Sequence, residues 1–356
     1  MQHSEESEGL IMKYLMFGEM MLRLKPTGFE RLFQNCELQA TFAGSEANVA
    51  VSLATFGEDA EFISVFPANN IVAKGALKEL RGFGVKTDKI VTGEGRFGVY
   101  FIEQGSNLLP NKTYYDRQYS SMCLAGPGSI DWDEALEGVD WLHLSGITSA
   151  ISESAAALNL EAAKAARAKA ITVSCDLNYR GNLWKYGKEA TDVIPELVRN
   201  IDITIATESE IKSCLGITAE WTGKSDGADE FPAEKYLYLS KKCMEAYPNL
   251  KYATLTLQKN YSADANMLCS TIYDGKIFVK SKELKSMNII DRVGAGDAIA
   301  AGLIYGLNHY EDLQDAADFG VAAGTLKGSI IGDFNRVEVE DVEGLMKSGD
   351  SVEQKR

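Results

Sequence analysis

The sequence predicts an α/β fold: a doubly wound, mostly parallel sheet flanked by helices, with a small β-lid added to it. Short apolar runs bounded by turn residues alternate with helical patterns, and strands that alternate with helices form a mostly parallel sheet covered on both faces. Residues 19–43 and 96–120 instead hold short alternating strands without a helix long enough to cover a central sheet. We expect these two segments to form the lid.

The strand candidates are apolar runs bounded by turn residues. In chain order they are KYLMFGEMMLRL, AEFISVF, DWLHLSGI, ITVSCDLN, DITIAT and YATLTL. Two helices are clearest: residues 47–57, which end at Gly57 as a C-cap, and residues 152–170, whose alanine-rich repeat suits packing on a sheet. Ligands of doubly wound sheets bind at the carboxyl ends of the strands, so we expect the site there.

Residues 12–346 are expected to form a single domain. No internal repeat or low-complexity linker divides them, and only residues 1–11 and 347–356 are typical of loose tails. With 356 residues, 45% of them hydrophobic and 24% charged, the chain can bury a large core.

Charge and composition exclude several classes of function. A formal net charge of −15 argues against binding to nucleic acid or to a membrane surface, because both need clustered Lys and Arg. An anionic ligand must therefore be held by local donors. The six cysteines include no CxxC pair and there are three histidines, which argues against disulfides and zinc. A polar N-terminus unlike a signal peptide, and the lack of a long apolar run, favour a reduced cytoplasmic location.

The stretch DRVGAGDAIAAGLIYGL, residues 291–307, places two glycines and an aspartate where a helical pattern begins. Small residues leave backbone N–H groups accessible there, so an anion can approach them and the positive end of the helix dipole. One interpretation is phosphoryl transfer, with Asp297 taking the proton of the attacking hydroxyl. The other is structural: Gly294 and Gly296 shape a tight turn and Asp297 caps the helix. The dinucleotide fingerprint fits this stretch poorly, and the Walker A pattern is absent.

A second cluster lies in FAGSEANVAVSLATFG, residues 42–57. Gly44 lets the backbone approach a ligand, Ser45 is a cap for the helix that begins near Glu46, and Asn48 offers a donor and an acceptor to a hydroxylated substrate. The alternative is capping alone, with a polar side chain facing solvent.

These two stretches resemble the signature segments of the PfkB, or ribokinase-like, family of carbohydrate kinases, and the resemblance extends from about Met16 to Met346. It implies a ribokinase-like fold, a β-lid over the sugar, and ATP with Mg²⁺. Asp297 would activate the acceptor hydroxyl. Gly294, Ala295 and Gly296 would form the anion hole for charge developing on the transferred phosphoryl group.

The resemblance also implies a set of residues on the nucleotide side. They are Asn178, Thr207, Gln258, Gly294 and Gly296. Glu210 would help to order hydrated Mg²⁺, although a solvated glutamate at a helix start is an equal alternative.

Four positions depart from the family pattern. Ala43 replaces the first of two paired glycines, and Thr207 replaces the asparagine of the NxxE segment. LQKNYSADAN stands in place of the glycine-rich adenine-side loop, so we expect either that the nucleotide is held differently there or that another nucleotide is preferred. Arg292 occupies a position where threonine is common, which a polyphosphate nearby would tolerate.

The implied substrate is a sugar acid. FGEMMLRLKP lacks the aspartate with which ribokinase-type members bind several hydroxyls, whereas arginine and tyrosine side chains suit a carboxylate. These segments, with SGIT, are similar to those of 2-keto-3-deoxygluconate kinases, whose matching positions bind the carboxylate and keto group. The substrate residues implied are Gly44, Asn48, Tyr100, Tyr115, Arg117, Arg180 and Asp297. The alternative is that both arginines pair with surface acids such as Asp116 or Glu103.

The expected function is ATP-dependent phosphorylation of a terminal hydroxyl of a keto-deoxy sugar acid, 2-keto-3-deoxygluconate to its 6-phosphate. A kinase for a neutral sugar such as fructose and a catalytically silent sugar-binding relative are the alternatives. Arg117 and Arg180 argue against the neutral sugar, and Asp297 against the silent relative. A homo-oligomer formed through the β-lid is a further expectation.

Overall fold

The computed structural model describes residues 12–219 and 230–348. Residues 1–11, predicted to be a loose tail, lie outside the described residues, as do residues 349–356 of the predicted C-terminal tail. Residues 347 and 348 belong instead to the last helix, Val339–Ser348.

The main sheet carries nine strands within the described residues, and most of them pair in parallel. Six strands follow the order β4, β1, β9, β10, β11, β12, and the antiparallel strand β13 then pairs with β12, β14 and β15. The bounds are β1 Lys13–Phe17, β4 Asp59–Ile63, β9 Trp141–Ser145, β10 Thr172–Asp176, β11 Ile203–Ala206, β12 Tyr252–Ser262, β13 Ala265–Tyr273, β14 Phe278–Lys280 and β15 Leu284–Met287.

Helices cover both faces of this sheet. In chain order they are α1 Ser45–Thr55, α2 Ile71–Gly82, α3 Ser121–Leu124, α4 Trp132–Ala135, α5 Gly146–Ala150, α6 Glu153–Ala168, α7 Ala190–Val198, α8 Glu208–Leu215, α9 Ala233–Ala246, α10 Ala295–His309, α11 Leu313–Lys327 and α12 Val339–Ser348. None of the helices in the described part of the chain combines the length and apolar character needed to cross a bilayer.

Two hydrophobic cores lie on opposite faces of the sheet, because side chains of a strand alternate between its faces. In β1, Leu15 and Phe17 pack into the core that includes α6 and α7. Tyr14 and Met16 pack into the core that includes α1, α10 and α11. This is the doubly wound, mostly parallel arrangement that the alternating apolar runs predict.

A second sheet of four strands forms from the two segments between β1 and α1 and between α2 and α3. Its order is β3 (Leu38–Ala43), β2 (Met21–Pro26), β7 (Gly98–Glu103) and β8 (Lys112–Asp116). These strands lie inside residues 19–43 and 96–120, where the sequence predicts the lid. Met21, Arg23, Tyr100 and Ile102 are buried on one face. A separate short pair, β5 (Val65–Pro67) and β6 (Val91–Gly93), lies outside both sheets.

Candidate active site

A cavity of about 440 Å³ opens between the carboxyl ends of the parallel strands and the four-stranded sheet. Its wall combines residues of the second sheet, the start of α1, the ends of β10 and β11, the β12–β13 hairpin and the start of α10. Lining residues include Gly44, Asn48, Tyr100, Tyr115, Asp176, Asn178, Arg180, Thr207, Glu210, Gln258, Arg292, Gly294, Asp297 and Asp333.

Helix α10 begins with a tight turn that only glycine fits. Gly294 is the N-cap, with φ of 84°, and a Cβ there would lie 2.1 Å from the backbone oxygen of Asp333. Asp297 is the third residue of the helix and does not occupy the N-cap, so the interpretation of Asp297 as an N-cap is wrong. The amides of the first turn have no acceptor inside the helix. A Cβ added at Gly296 would meet no atom within 4 Å, which leaves that surface open to a ligand.

The carboxylate of Asp297 is held by two donors from α1. Ser45 Oγ donates to Oδ1 at 2.7 Å, and Asn48 Nδ2 donates to Oδ2 at 2.6 Å. Asn178 Nδ2 in turn donates to Ser45 Oγ at 2.9 Å. Each carboxylate oxygen therefore keeps acceptor capacity for a proton. Burial raises the pKa of Asp297, and the hydrogen bonds from Asn48 and Ser45 oppose that rise.

This arrangement corrects the prediction made for Ser45. The N-cap of α1 is Gly44, which makes no side-chain cap, and Ser45 is the first helical residue. A Cβ at Gly44 would lie 2.3 Å from the backbone oxygen of Glu19, so glycine is required there by close packing. The hydroxyl of Ser45 is free to bind Asp297 for this reason. The alternative in which Asn48 faces solvent is wrong, because Asn48 is 3% exposed.

The predicted substrate residues divide into two groups. Gly44, Asn48, Tyr100, Tyr115, Arg180 and Asp297 line the cavity. Arg117 lies behind the wall: it is buried, its Nε donates to Glu19 Oε2 at 2.6 Å, and its guanidinium carbon is 5.6 Å from the ring centroid of Tyr115.

The acids suggested as partners of the arginines are paired elsewhere. Asp116 bonds to Arg96 and Glu103 to Arg31. Arg180 is half-exposed at the cavity, with its Nη1 3.7 Å from Glu210 Oε1.

The predicted nucleotide residues Asn178, Thr207, Gln258, Gly294 and Gly296 also line the cavity. Thr207 is the N-cap of α8 and forms a capping box with Glu210: Glu210 N donates to Thr207 Oγ1 at 3.2 Å, and Thr207 N donates to Glu210 Oε2 at 2.7 Å. Glu210 lines the cavity and its side chain is 13% exposed, so it is a helix-start glutamate but not a solvated one. Gln258 donates to Asn260 Oδ1 at 2.8 Å.

Two features of the wall are absent from the sequence-based predictions. Asp176 ends β10 beside Asn178, and burial raises its pKa well above the usual value. The sequence DLN at the end of this strand could have indicated Asp176 as a site residue. Polar residues at the carboxyl end of a parallel strand lie at the edge of the sheet where ligands bind.

The second feature is a buried ion cluster beneath the cavity. Arg23 binds Asp333 and donates to Asp291 Oδ2 at 2.6 Å. Tyr100 Oη donates to Asp333 at 2.8 Å, and Lys327 Nζ donates to the backbone oxygen of Asp291 at 3.2 Å. A lone arginine in the apolar strand MLRL signals such a cluster, but its partners lie roughly three hundred residues away in the chain.

The chain is similar to known proteins in both sequence and structure. The profile of the pfkB family of carbohydrate kinases matches residues 13–237 and 263–332. The structure is similar to that of 2-dehydro-3-deoxygluconokinase from Thermotoga maritima, with a TM-score of 0.87 and 38% identity over 95% of this chain and 100% of that one.

Two relatives are similar in sequence over most of their length. One is 2-dehydro-3-deoxygalactonokinase from Haloferax volcanii, 28% identical over 94% of this chain and 96% of its own. The other is 2-dehydro-3-deoxygluconokinase from Dickeya dadantii, 24% identical over 88% of this chain and 95% of its own.

Proposed function

The chain belongs to the pfkB family of carbohydrate kinases, and from that premise we propose that it transfers a phosphoryl group from ATP to the terminal hydroxyl of 2-keto-3-deoxygluconate, giving the 6-phosphate. The observation that carries the proposal is the carboxylate of Asp297, which Ser45 and Asn48 hold at the open start of α10. A base in that position lies beside backbone donors suited to an anion.

The proposed reaction uses this geometry. Asp297 accepts the proton of the attacking hydroxyl, whose oxygen forms a bond to the γ-phosphorus. The bond from that phosphorus to the β–γ bridging oxygen breaks, and its electron pair leaves with ADP. The amides at Gly294, Ala295 and Gly296 stabilise the charge on the transferred group.

Recognition of the acid end is assigned to the side of the cavity formed by the second sheet. Arg180 is half-exposed there, Tyr115 lines the same wall, and Tyr100 lines it with its hydroxyl donating to Asp333. A guanidinium fork fits a carboxylate in a fixed orientation. Arg117 contributes indirectly, because it lies against Tyr115 and is paired with Glu19. Gly44 and Asn48 complete the substrate side.

The nucleotide side is assigned to Asn178, Thr207, Gln258 and the start of α10. Mg²⁺ keeps several waters and needs only one or two carboxylates besides the phosphates. Glu210 and Asp176 both line the cavity and fit that requirement, although no group of three or more His, Cys, Asp or Glu suited to a metal occurs in residues 12–219 and 230–348. The ion would neutralise charge on the β- and γ-phosphates. Dependence on ATP favours a cytoplasmic enzyme.

The four-stranded sheet is proposed to act as the lid and as an oligomer contact. Its outer face carries Leu24, Val99, Phe101 and the exposed Tyr114, which lie on paired strands. An apolar face of this kind suits a second copy of the same sheet. Light scattering coupled to size-exclusion chromatography tests this, because a Leu24→Glu variant should elute as a monomer. Monomeric wild-type protein at micromolar concentration would contradict it.

The relative from Haloferax volcanii supports a second candidate substrate, 2-keto-3-deoxygalactonate, which differs from the first at one hydroxyl. A turnover screen with Mg-ATP separates the possibilities by coupled ADP release. Both keto-deoxy acids, fructose and ribose should be compared at equal concentrations. We expect the highest kcat/KM for 2-keto-3-deoxygluconate. A higher value for the galactonate would reassign the substrate, a higher value for fructose would overturn the sugar-acid proposal, and no turnover on any sugar would overturn the kinase.

A further inference from the structure

The cavity wall contains few positive charges for a ligand as anionic as ATP. Its carboxylates are Asp176, Glu210, Asp297 and Asp333, and among the described residues that line it the cationic side chains are Arg180 and Arg292. The chain as a whole also has a negative formal net charge, −15. Polyphosphate must therefore be bound by a small number of well-placed donors, and the position of each arginine matters.

Arg180 is already compensated by nearby carboxylates. Its Nη1 lies 3.7 Å from Glu210, and the charges of Asp176 and Asp297 also act on it. Arg292 differs, because within residues 12–219 and 230–348 it forms no ion pair. The acid whose charge acts on it is Asp264, at the tip of the β12–β13 hairpin.

The guanidinium of Arg292 is only partly satisfied. Its Nη2 donates to Asn260 Oδ1 at 2.7 Å, and that oxygen also accepts from Gln258 at 2.8 Å. Its Nε is buried and has no hydrogen-bond partner among the described residues. An unpaired buried donor is costly, and a neutral amide oxygen shared with a second donor is easily exchanged for a charged acceptor.

The backbone that carries Arg292 is fixed on both sides. Asp291 is held by Arg23 and accepts from Val293 N at 3.2 Å, and Gly294 is packed against the backbone of Asp333. The side chain of Arg292 thus leaves this fixed loop two residues before Gly294, the N-cap of the helix whose first amides are suited to an anion. A fixed backbone limits the region that the guanidinium can reach to the neighbourhood of these amides.

We propose that Arg292 is a catalytic residue that binds the polyphosphate and the transferring phosphoryl group, exchanging Asn260 for phosphate oxygens. This assignment rests on the proposed kinase activity. The planar fork of arginine bridges two phosphate oxygens, so it binds the β- and γ-phosphates together and stabilises the negative charge that shifts to the bridging oxygen as its bond to the γ-phosphorus breaks. Threonine, which is common at this position in the resembling family, supplies no such charge.

Three variants test the assignment. Arg292→Gln removes the charge, Arg292→Lys keeps the charge without the fork, and Lys259→Gln removes a cation from the same hairpin that does not line the cavity. We expect kcat/KM for ATP to fall about 10²-fold in Arg292→Gln, with an intermediate loss in Arg292→Lys. Lys259→Gln should stay within about twofold of wild type. Melting temperatures establish that each variant is folded.

A binding measurement without sugar separates this assignment from the proposed function. In Arg292→Gln, calorimetric titration should show weaker binding of a non-hydrolysable ATP analogue and unchanged binding of adenosine, which has no phosphate. An equal loss for both ligands would indicate a structural role and overturn the assignment. Unchanged affinity and kcat in folded Arg292→Gln would also overturn it. If wild-type protein phosphorylates no sugar yet this difference between ligands persists, the proposed reaction fails while phosphate binding by Arg292 stands.

Discussion

The position of one carboxylate separates the two interpretations of the GAGD stretch. The sequence could not separate them, because an aspartate near a helix start is typical both of an N-cap and of a catalytic base. The structure assigns the cap to Gly294 and gives Asp297 two side-chain donors from α1, Ser45 and Asn48. An N-cap needs no such donors, so these two contacts favour the proposed role of Asp297 as a base that α1 orients.

Asp297→Asn is expected to slow turnover strongly while preserving the fold. The amide has the same size and can still accept from Ser45, but it cannot take a proton. We expect kcat to fall by roughly two to four orders of magnitude. A coupled assay of ADP release measures kcat, and a thermal melt measures the stability of the fold. Asp315→Asn, in the first turn of α11, is the matched control. A variant that retains wild-type kcat would exclude Asp297 as the base.

Arg180 and Arg117 show the limit of residue patterns. Both follow strand ends in segments that resemble sugar-acid kinases, yet Arg180 lines the cavity and Arg117 is paired with Glu19 behind Tyr115. Pairing across 98 residues depends on tertiary structure, and no local pattern reports it.

Arg180→Lys should therefore damage recognition of the acid although it retains the charge, because lysine lacks the fork that orients a carboxylate. We expect KM for 2-keto-3-deoxygluconate to rise by the equivalent of about 1.5–3 kcal/mol, with a smaller effect on fructose. Parallel steady-state assays with the two sugars provide the measurement. Equal losses on both sugars would mean that Arg180 supports the nucleotide or the fold.

At the level of elements, the central strands and the long helices were readable from periodicity. The run ITVSCDLN corresponds to β10 and the alanine-rich segment to α6, both within two residues of their predicted ends. KYLMFGEMMLRL was less accurate, because it divides at Gly18 and Glu19 into β1 and β2, which belong to different sheets. β13 was missed because all nine of its residues are buried, so no alternation marks it.

The second sheet is attached to the main body by side chains at its centre and its end. Arg23 in β2 binds Asp291 and Asp333, which lie on either side of α10 and α11 in the chain. The loop between β7 and β8 also contacts the tip of the β12–β13 hairpin, where Ala263 N donates to Asn107 O at 2.8 Å. A change at Arg23 should thus affect both stability and the site.

Arg23→Met is expected to lower the free energy of unfolding by about 3–5 kcal/mol, because it leaves two buried carboxylates without their cation. Lys164→Met provides the control: Lys164 and Glu196 pair at 3.5 Å with side chains 54% and 48% exposed, and such a pair contributes under about 1 kcal/mol. Denaturant midpoints with fitted slopes give both values. A loss at Arg23 no larger than that at Lys164 would mean that the buried cluster does not stabilise the attachment of the sheet.

At the scale of the whole molecule, several carboxyl groups near the cavity and in the core are buried. Burial raises the pKa of Asp297 and Asp333 at the site, and it raises that of Glu46 to about 8. Glu46 is the second residue of α1, fully buried, with Oε1 accepting from Thr148 Oγ1 at 2.6 Å and Oε2 unpartnered among the described residues. The sequence placed Glu46 at a helix start and carried no sign of this burial.

Glu46 therefore predicts how stability depends on pH. Its folded pKa, about 8, lies above the ordinary value of 4.5, so between these limits the folded protein binds more protons than the unfolded chain. The folded state buries neutral Glu46 without the cost of burying a charge, and this advantage is complete below pH 4.5. It is lost as pH rises toward 8, because the buried carboxyl group then ionises. Glu46→Gln mimics the neutral acid and should remove this dependence. Near pH 8 the variant should therefore be more stable than wild type by a few kcal/mol, on the order of 1.4 kcal/mol for each unit of pKa shift.

Urea titrations at several pH values from 5 to about 8.5 measure the difference, and Glu196→Gln at a half-exposed position serves as control. A difference between wild type and Glu46→Gln that stays constant across this range would show that Glu46 does not titrate with folding.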